Sequence, residues 1–381
     1  MRRFLVVASF AESLIGFRLP LIQALQNAGF EVHVAAPGAR SEPHVLSKLQ
    51  GMGVVVHEYP LARKGTNPVR DFVSILKLTS LMRRVRPEFF LGYTIKPVIY
   101  GTIAARIARV PRRFALVTGL GQSFQECDDR VGRLEWLLGK LLGIAFRCAH
   151  KVIFQNPDDA DLMRRRGILP AGVQFAVVNG SGVDVTEYAS RPVSAEVPTF
   201  LLVARLLESK GVKIYERAAQ RIKQSVPNVR FLLAGWIDET GDSITAIQLQ
   251  EWQRAGHIDY LGKLDDVHEA LSRCSVFVLP TFYREGTPRS ILEALSVGRA
   301  IITTDTPGCR ETVEHGVNGF LIESRSVDAL VSAMMAFVED SDLACRMAVE
   351  SRRIALDKYD VNLVNRAMLT EMHVSDSRNR H

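Results

Sequence analysis

The chain has 381 residues, 47% of them hydrophobic and 23% charged, which is too long for one compact core and ample for two. Its formal net charge of +7 is unevenly divided: residues 1–190 hold 25 Lys+Arg against 15 Asp+Glu, the remainder 23 against 26. A basic half suits nucleic acid, an anionic membrane or a polyanionic substrate, and the absence of helix-turn-helix, zinc-finger or RNA-recognition signals argues against nucleic acid.

The N-terminus reads as a short strand rather than a leader, because LVVA after Met1-Arg2-Arg3 gives way to polar Ser9 and Glu12, so the expected location is cytoplasmic. Cys127, Cys148, Cys274, Cys309 and Cys345 are scattered without C-x-x-C pairs or neighbouring histidines, which predicts reduced packing residues rather than a disulfide framework or zinc site.

Short apolar runs then alternate with helical patterns: FLVVAS, LPLIQALQNAG, EVHVAAP, a helix near 43–51, and VVVHEY, with Gly29 and Gly53 ending helices. Further strands are expected at FFLGY, FALVTG and VIFQ. This βαβ punctuation predicts a parallel, doubly wound sheet that binds ligands at its carboxyl edge. Gly16, in ESLIGFRLP after the first strand, either lets a loop approach phosphates or an acceptor, or makes a simple turn. Gly119 and Gly121 in VTGLGQSF form a second loop at the same edge. The stretch 130–151, RVGRLEWLLGKLLGIAFRCAHK, carries an apolar face with Trp136, Leu137, Leu141 and Ile144 beside Arg130, Arg133, Lys140, Arg147 and Lys151. It is too short to span a bilayer and reads as core, as a helix lying in a membrane interface, or as both, helped by the basic helix end LMRRVRP at 81–87.

The pattern restarts after RPVSAEVP at 191–198, with strands expected at TFLLVARL, VRFLLAGW, IDYLG, SVFVLP and AIITTD. The fold class is therefore α/β: two Rossmann-like doubly wound domains, 1–190 and 191–357, facing across a cleft with a hinge near 190–198. Residues 358–381 form a closing helix and a frayed tail. Arg205 and Lys210 follow the first strand of the second domain, an address suited to a diphosphate, with a planar fork of donors and a mobile point charge. Gly235 ends a strand where a residue without Cβ admits a nucleotide to the backbone. In TFYREGTPRSILEALSVGRAIITTD, at 281–305, Pro288 suits a helix start, and Ile291, Leu292, Ala294 and Leu295 give an apolar face. Glu285 then precedes the helix, Glu293 lies within it, and the amides of Gly286, Thr287, Arg289 and Ser290 offer partial positive charge. Asp159-Ala-Asp161 and Asp340-Ser-Asp342 fit helix starts better than a D-x-D metal motif.

Several ordered motifs together carry a resemblance: FRLPLIQALQNAGFEVHVAAP, TIKPVIYG at 94–101, VIFQNPDDADL at 152–162, GSGVD at 180–184, ARLLESKG at 204–211, FYREGTPRSILEA, and PGCRETVEHGVNGFLI at 307–322. The chain resembles the retaining, nucleotide-sugar-dependent glycosyltransferases of family 4, of the two-domain GT-B fold, and especially the branch of capsule and lipid-linked-oligosaccharide enzymes. That resemblance implies transfer of a HexNAc or hexose from a UDP-sugar to a polyprenyl-diphosphate-linked saccharide, and the basic first half favours an anionic membrane, so the expected place is peripheral on the inner face of the cell membrane. It implies that Arg205 and Lys210 bind the donor diphosphate, that backbone around Leu261 to Lys263 contacts the base, and that Glu293 holds the ribose. Glu285, with Gly286, Thr287, Pro288 and Arg289, then touches the sugar, where its charge stabilises an oxocarbenium-like C1. It further implies that the closing helix packs back on the first domain. Many family members place a histidine after the fourth or fifth strand; here the matching stretch is LGYTIKP, in which Thr94 and Lys96 stand as substitutes. No cofactor and no essential metal are expected. A nucleotide-sugar 2-epimerase of the same fold and a non-catalytic sugar-nucleotide-binding scaffold are the alternatives.

Overall fold

The computed structural model describes residues 1–62, 68–121, 124, 132–193, 198–238 and 242–374. The expected frayed tail 375–381, Cys127, Arg130 and residues 194–197 of the expected hinge lie outside the described residues. The chain divides into two contact units, one of Met1–Ser181 with Leu363–His381, the other of Gly182–Asn362.

The first unit is a seven-stranded parallel sheet: β1 (Arg2–Val7), β2 (Phe30–Ala35), β3 (Val55–His57), β4 (Phe89–Tyr93), β5 (Arg112–Val117), β6 (Lys151–Phe154) and β7 (Gln174–Val177). Their spatial order is β3-β2-β1-β4-β5-β6-β7, so the direction of winding reverses between β1 and β4. Helices on both sides explain the continuous apolar runs, because alternate residues of one strand enter different cores. Phe4 and Val6 pack with Leu14, Ile22 and Leu25 on one face, whereas Leu5 and Val7 pack with Leu78, Met82 and Phe146 on the other. Phe4 sits opposite Phe89 in the ladder, and their rings stack at 5.5 Å, with Phe30 edge-on to both. Each such ring removed from water contributes about 1.5–3 kcal/mol. The helix Val361–Glu371 brings Met368 and Met372 into the Phe4 core, and Lys151 pairs with Glu371 at 2.8 Å.

The second unit repeats the plan with β8 (Thr199–Val203), β9 (Arg230–Ala234), β10 (Asp259–Tyr260), β11 (Val276–Leu279), β12 (Ala300–Thr304) and β13 (Gly319–Ile322). The parallel order is β10-β9-β8-β11-β12-β13, and the winding reverses between β8 and β11. Every strand expected from the apolar runs is present. β7 and β13 were not expected. β7 is a half-exposed edge strand, with Phe175 and Val177 open to solvent, so its four residues lack the uniform apolar signal of buried parallel strands. β13 is only four residues long and follows a turn-rich segment.

The contact units part at 181/182 and 362/363, whereas polar punctuation had suggested 190/191 and 357/358. Backbone bonding explains the earlier first boundary. The Val183 N–H donates to Tyr359 O at 2.8 Å, and Arg352 donates to the carbonyls of Val185 and Tyr188. Buried Arg299 donates to those of Arg191 and Pro192, so the segment up to residue 192 is tied to the second unit before the polar stretch begins.

At the reversal point of the second sheet, the turn after β8 is pressed onto the segment after β11. Thr281 Oγ1 and the N–H groups of Phe282 and Tyr283 all donate to Ser209 O. Gly211 has φ +80°, and a Cβ there would stand 2.1 Å from Pro280 O. Gly211→Ala should therefore lose stability through both strain and overlap, about 2–4 kcal/mol together. A urea titration reads this as a lower midpoint, and a midpoint equal to the parent's would contradict the contact.

Candidate functional site

The second unit gathers most of the expected site residues at the carboxyl edge of its sheet. Lys210 ends a short 3-10 turn, Glu208–Lys210, that follows β8; Glu285 lies in the loop after β11. Their side chains form an ion pair across 75 positions of sequence, and each retains little exposure, 13% for the ammonium side chain and 12% for the carboxylate. Lys210 Nζ also stands over the Tyr283 ring at 4.9 Å, a cation–π contact, while Arg205 binds both the Tyr283 hydroxyl and Asp238, the latter at 3.0 Å. Burial, with Glu285 nearby, raises the Tyr283 hydroxyl above its ordinary range, so it stays protonated at neutral pH. The two cations are thus held by acid and aromatic partners before any ligand arrives.

Glu285 is placed by backbone as much as by Lys210. Gly308 has φ +83°, and a Cβ there would lie 2.3 Å from Gly286 O and 2.7 Å from Glu285 O. The turn after β12 consequently lies flat on the Glu285–Gly286 backbone. Behind it, buried Cys309 has its thiol pushed up to about 12 by desolvation and then by Glu285, so it remains a neutral packing group.

The helix Arg289–Val297 begins after Pro288, which caps it at φ −65°, ψ 118°, one position earlier than a first-turn proline. Glu293 faces inward, accepting from Arg289 Nε at 2.7 Å and from the Tyr188 hydroxyl. Desolvation is the larger effect and holds its carboxyl above the usual carboxylate range. Gly286, Thr287 and Pro288 lead directly into this helix.

Gly235 follows β9 with φ +149°, and a Cβ there would overlap Ala204 O at 1.8 Å. The glycine is thus required by the chain's own backbone. The Leu261 N–H donates to Leu233 O at 2.8 Å, which brings the segment after β10 beside the end of β9, where Lys263 stands 5.9 Å from the Trp236 ring.

In the first unit, Thr94 directly follows β4, at the reversal point beside β1. It has φ +67°, a conformation a β-branched residue adopts at a cost of about 1–3 kcal/mol, and its Oγ1 is buried with no hydrogen-bond partner among the described residues. Lys96 is turned inward, donating to Ala62 O at 2.6 Å with Asp71 at 3.7 Å. Gly16 is neither loop nor turn: it lies on the exposed side of the helix Glu12–Phe17, and a Cβ there would meet nothing within 4 Å. The adjoining Ser13 hydroxyl bonds the Tyr93 hydroxyl at 2.7 Å and so links that helix to β4.

No group of three or more His, Cys, Asp or Glu suited to a metal ion occurs among the described residues. Asp159 is a buried partner of the cap residue Asn156 at the start of the helix Pro157–Arg165. Asp340 accepts from Arg346 just before the helix Leu343–Ile354. Sequence reasoning missed Tyr283, Asp238, Tyr188 and Gly308. Only Gly308 carried a local signal, the turn-forming TPG run.

Two family descriptions match the chain: "Glycosyl transferase 4-like" over residues 6–156 and "Glycosyl transferases group 1" over residues 186–353. The N,N'-diacetylbacillosaminyl-diphospho-undecaprenol alpha-1,3-N-acetylgalactosaminyltransferase of Campylobacter jejuni is 29% identical over 365 residues, covering 92% of this chain and 93% of the relative. The UDP-Gal:alpha-D-GlcNAc-diphosphoundecaprenol alpha-1,3-galactosyltransferase of Escherichia coli is 23% identical over 346 residues, 85% and 87% of the two chains. In fold, the chain is similar to Anabaena HepE, solved with UDP-glucose, with a TM-score of 0.72 at 20% identity over 98% of this chain and 100% of that one.

The environment of Glu293 sets a pH dependence. A carboxyl whose folded pKa exceeds its unfolded one contributes stability while protonated and loses it as pH rises through the folded value. Glu293→Gln, which cannot ionise, should therefore gain in melting temperature relative to the parent as pH is raised from about 4 to about 7. A difference that stays flat or shrinks with pH would contradict the inward burial of this carboxyl.

Proposed function

The chain belongs to the glycosyltransferases of the family 4-like, GT-B type, and from that membership we propose that it moves a sugar from a UDP-sugar to a membrane-anchored, polyprenyl-diphosphate-linked saccharide with retention at C1. The observation that carries this reading is the part-buried Lys210–Glu285 pair at the carboxyl edge of the second sheet, with Arg205 held beside it by Tyr283. A cation for the leaving diphosphate and a carboxylate for the developing positive charge at C1 are what group transfer from a nucleotide sugar requires in one place. The names of both relatives specify diphospho-undecaprenol acceptors, and the galactosyltransferase's name specifies a UDP donor, which supports the substrate classes.

In the proposed reaction Arg205 and Lys210 share the diphosphate, the N–H groups of Gly286, Thr287 and Arg289 face the sugar, and Glu293 binds the ribose hydroxyls. Leu261 backbone and the space by Gly235 serve the base. The bond from C1 to the diphosphate oxygen breaks, a bond to the acceptor oxygen forms on the same face, and the acceptor proton passes to the departing oxygen. Glu285 stabilises the intervening charge without bonding to C1. Thr94, with its strained backbone and a hydroxyl without a partner among the described residues, is assigned with Lys96 to the sugar contact for which many family members use a histidine; Gly16, in the helix after β1, keeps its assignment to the phosphates or the acceptor. No helix among the described residues is long and apolar enough to cross a membrane, so the protein is proposed to meet its lipid-linked acceptor as a peripheral protein at the inner face.

Incubation with a UDP-sugar and a polyprenyl-diphosphate-linked acceptor should yield elongated acceptor and UDP, with activity retained in EDTA because two cations and helix-terminal amides serve the diphosphate. Donor converted only to its C2 epimer would overturn transfer, and complete loss restored by manganese or magnesium would overturn the metal-free assignment.

The two carboxylates should fail differently. Glu285→Gln should lower turnover about 100-fold or more without weakening UDP binding, since it removes the charge that faces C1 while leaving Lys210 to the diphosphate. Glu293→Gln should weaken UDP binding by about 1–3 kcal/mol, as a charged hydrogen bond becomes a poorer one. Calorimetric titration with UDP beside turnover separates the two, and the reversed pattern would exchange their roles.

A further inference from the structure

The helix Pro68–Val85 packs Ile75, Leu78, Leu81 and Met82 into the first unit's core, yet it carries a second apolar stripe on its outer side. Val69, Phe72, Val73 and Leu76 recur at helical spacing and stand in solvent, Phe72 59% and Leu76 52% exposed. A second patch, Trp136 with Leu137 and Ile144, is exposed on the helix Arg133–Cys148. Both helices cover the same face of the sheet, and the helix Thr102–Ile107 packs against each of them. Each helix runs back against the strands it joins, so the apolar stripe at the start of the first and Trp136 at the start of the second lie toward the carboxyl edge.

The charges on these two helices sort by direction. Asp71 is turned inward toward Lys96 and the Tyr100 hydroxyl, and Glu135 is paired with Arg166. These are the acids of the two helices. Arg70, Lys77, Arg83, Arg84, Lys140 and Arg147 remain outward and exposed, and Lys140 Nζ lies 5.5 Å from the Trp136 ring. A cavity of about 770 Å³ along the first helix repeats the combination, with Leu61, Val69 and Val73 beside Arg70 and Lys77; its one acid, Glu58, accepts from the Gly38 N–H at 3.2 Å. Apolar side chains bordered, among the described residues of these two helices, by outward cations, with Glu58 the one acid of the groove beside them, fit an anionic bilayer better than a second copy of the chain, whose own outward charges on these helices would be of like sign.

We propose that the outer face of Pro68–Val85, together with the Trp136 patch, is the surface by which this protein lies on an anionic lipid membrane, with Phe72 and Leu76 inserting below the headgroups and Arg70 and Lys77 at the phosphates. This rests on the peripheral-membrane part of the proposed function and places its contact on a helix that the basic stretch 130–151 does not include.

The test uses the full chain with vesicles of phosphatidylcholine alone and of phosphatidylcholine with phosphatidylglycerol. The parent should sediment with the anionic vesicles and release as salt rises. Phe72→Glu and Leu76→Glu should each lower the partition coefficient about tenfold or more, the effect of keeping one large apolar side chain in water. Val349→Glu, at an equally exposed apolar position in the second unit, should match the parent. Transfer to a short-chain, water-soluble acceptor should be unchanged in all three. A parent that binds neither vesicle would overturn peripheral attachment while leaving transfer to the soluble acceptor intact. Anionic binding that survives both helix variants would overturn this surface alone. A parent that is dimeric by light scattering and becomes monomeric on Phe72→Glu would assign the face to self-association and overturn the lipid reading.

Discussion

Backbone lying on backbone sets the geometry of the second unit's site. The segment after β8 reaches the segment after β11 only because Gly211 leaves room for Pro280 O, and the turn after β12 supports Glu285 only because Gly308 leaves room for two carbonyl oxygens. These approaches are closer than any Cβ permits, and neither glycine adopts a φ that an ordinary side chain accepts comfortably. Lys210 and Glu285 are presented on closely packed main chain, so the two side chains start from fixed positions within reach of each other. Preorganisation of this kind lets charge act on a reacting centre without reorganising first.

The electrostatics follow the same logic. Arg205, Lys210 and Glu293 each have an opposing partner: Asp238, Glu285 and Arg289. Arg289 and Glu293 lie on one helix face, and Arg205 and Asp238 follow the neighbouring strands β8 and β9, but the Lys210–Glu285 pair joins the two sides of the winding reversal. Its low exposure strengthens the attraction and also makes removal of one member costly, since the other would be left desolvated. In the proposed reaction an arriving diphosphate would not meet a bare cation; it would share one that already has an acid partner.

Much of the fold could be read in advance because parallel strands buried on both faces give continuous apolar runs, and the loops between them are punctuated by glycine and polar residues. β7 escaped because an edge strand with solvent on Phe175 and Val177 has no such run. The positions of Arg205, Lys210, Glu285 and Glu293, after strands and around a helix start, were legible in the sequence. Their partners were not, since pairing across 75 positions, or between Arg205 and Tyr283, depends on strand order rather than local pattern. Gly235 was noticed for the right absence of a side chain, yet the group it accommodates in the structure is Ala204 O. Thr94 is the opposite case: nothing in TIKP announces a left-handed threonine, because the strain comes from the tight exit of β4.

The division of the chain into units also bears on how it is made. The second unit is one continuous stretch, 182–362, but the core around Phe4 and Phe89 takes Met368, Met372 and Val374 from the far side of that stretch. On the ribosome the strands of the first unit emerge early and must wait, with part of one face open, until the whole second unit has been synthesised. The domain that begins first is therefore completed last, and its unfinished face is where a holding chaperone would be most useful during translation.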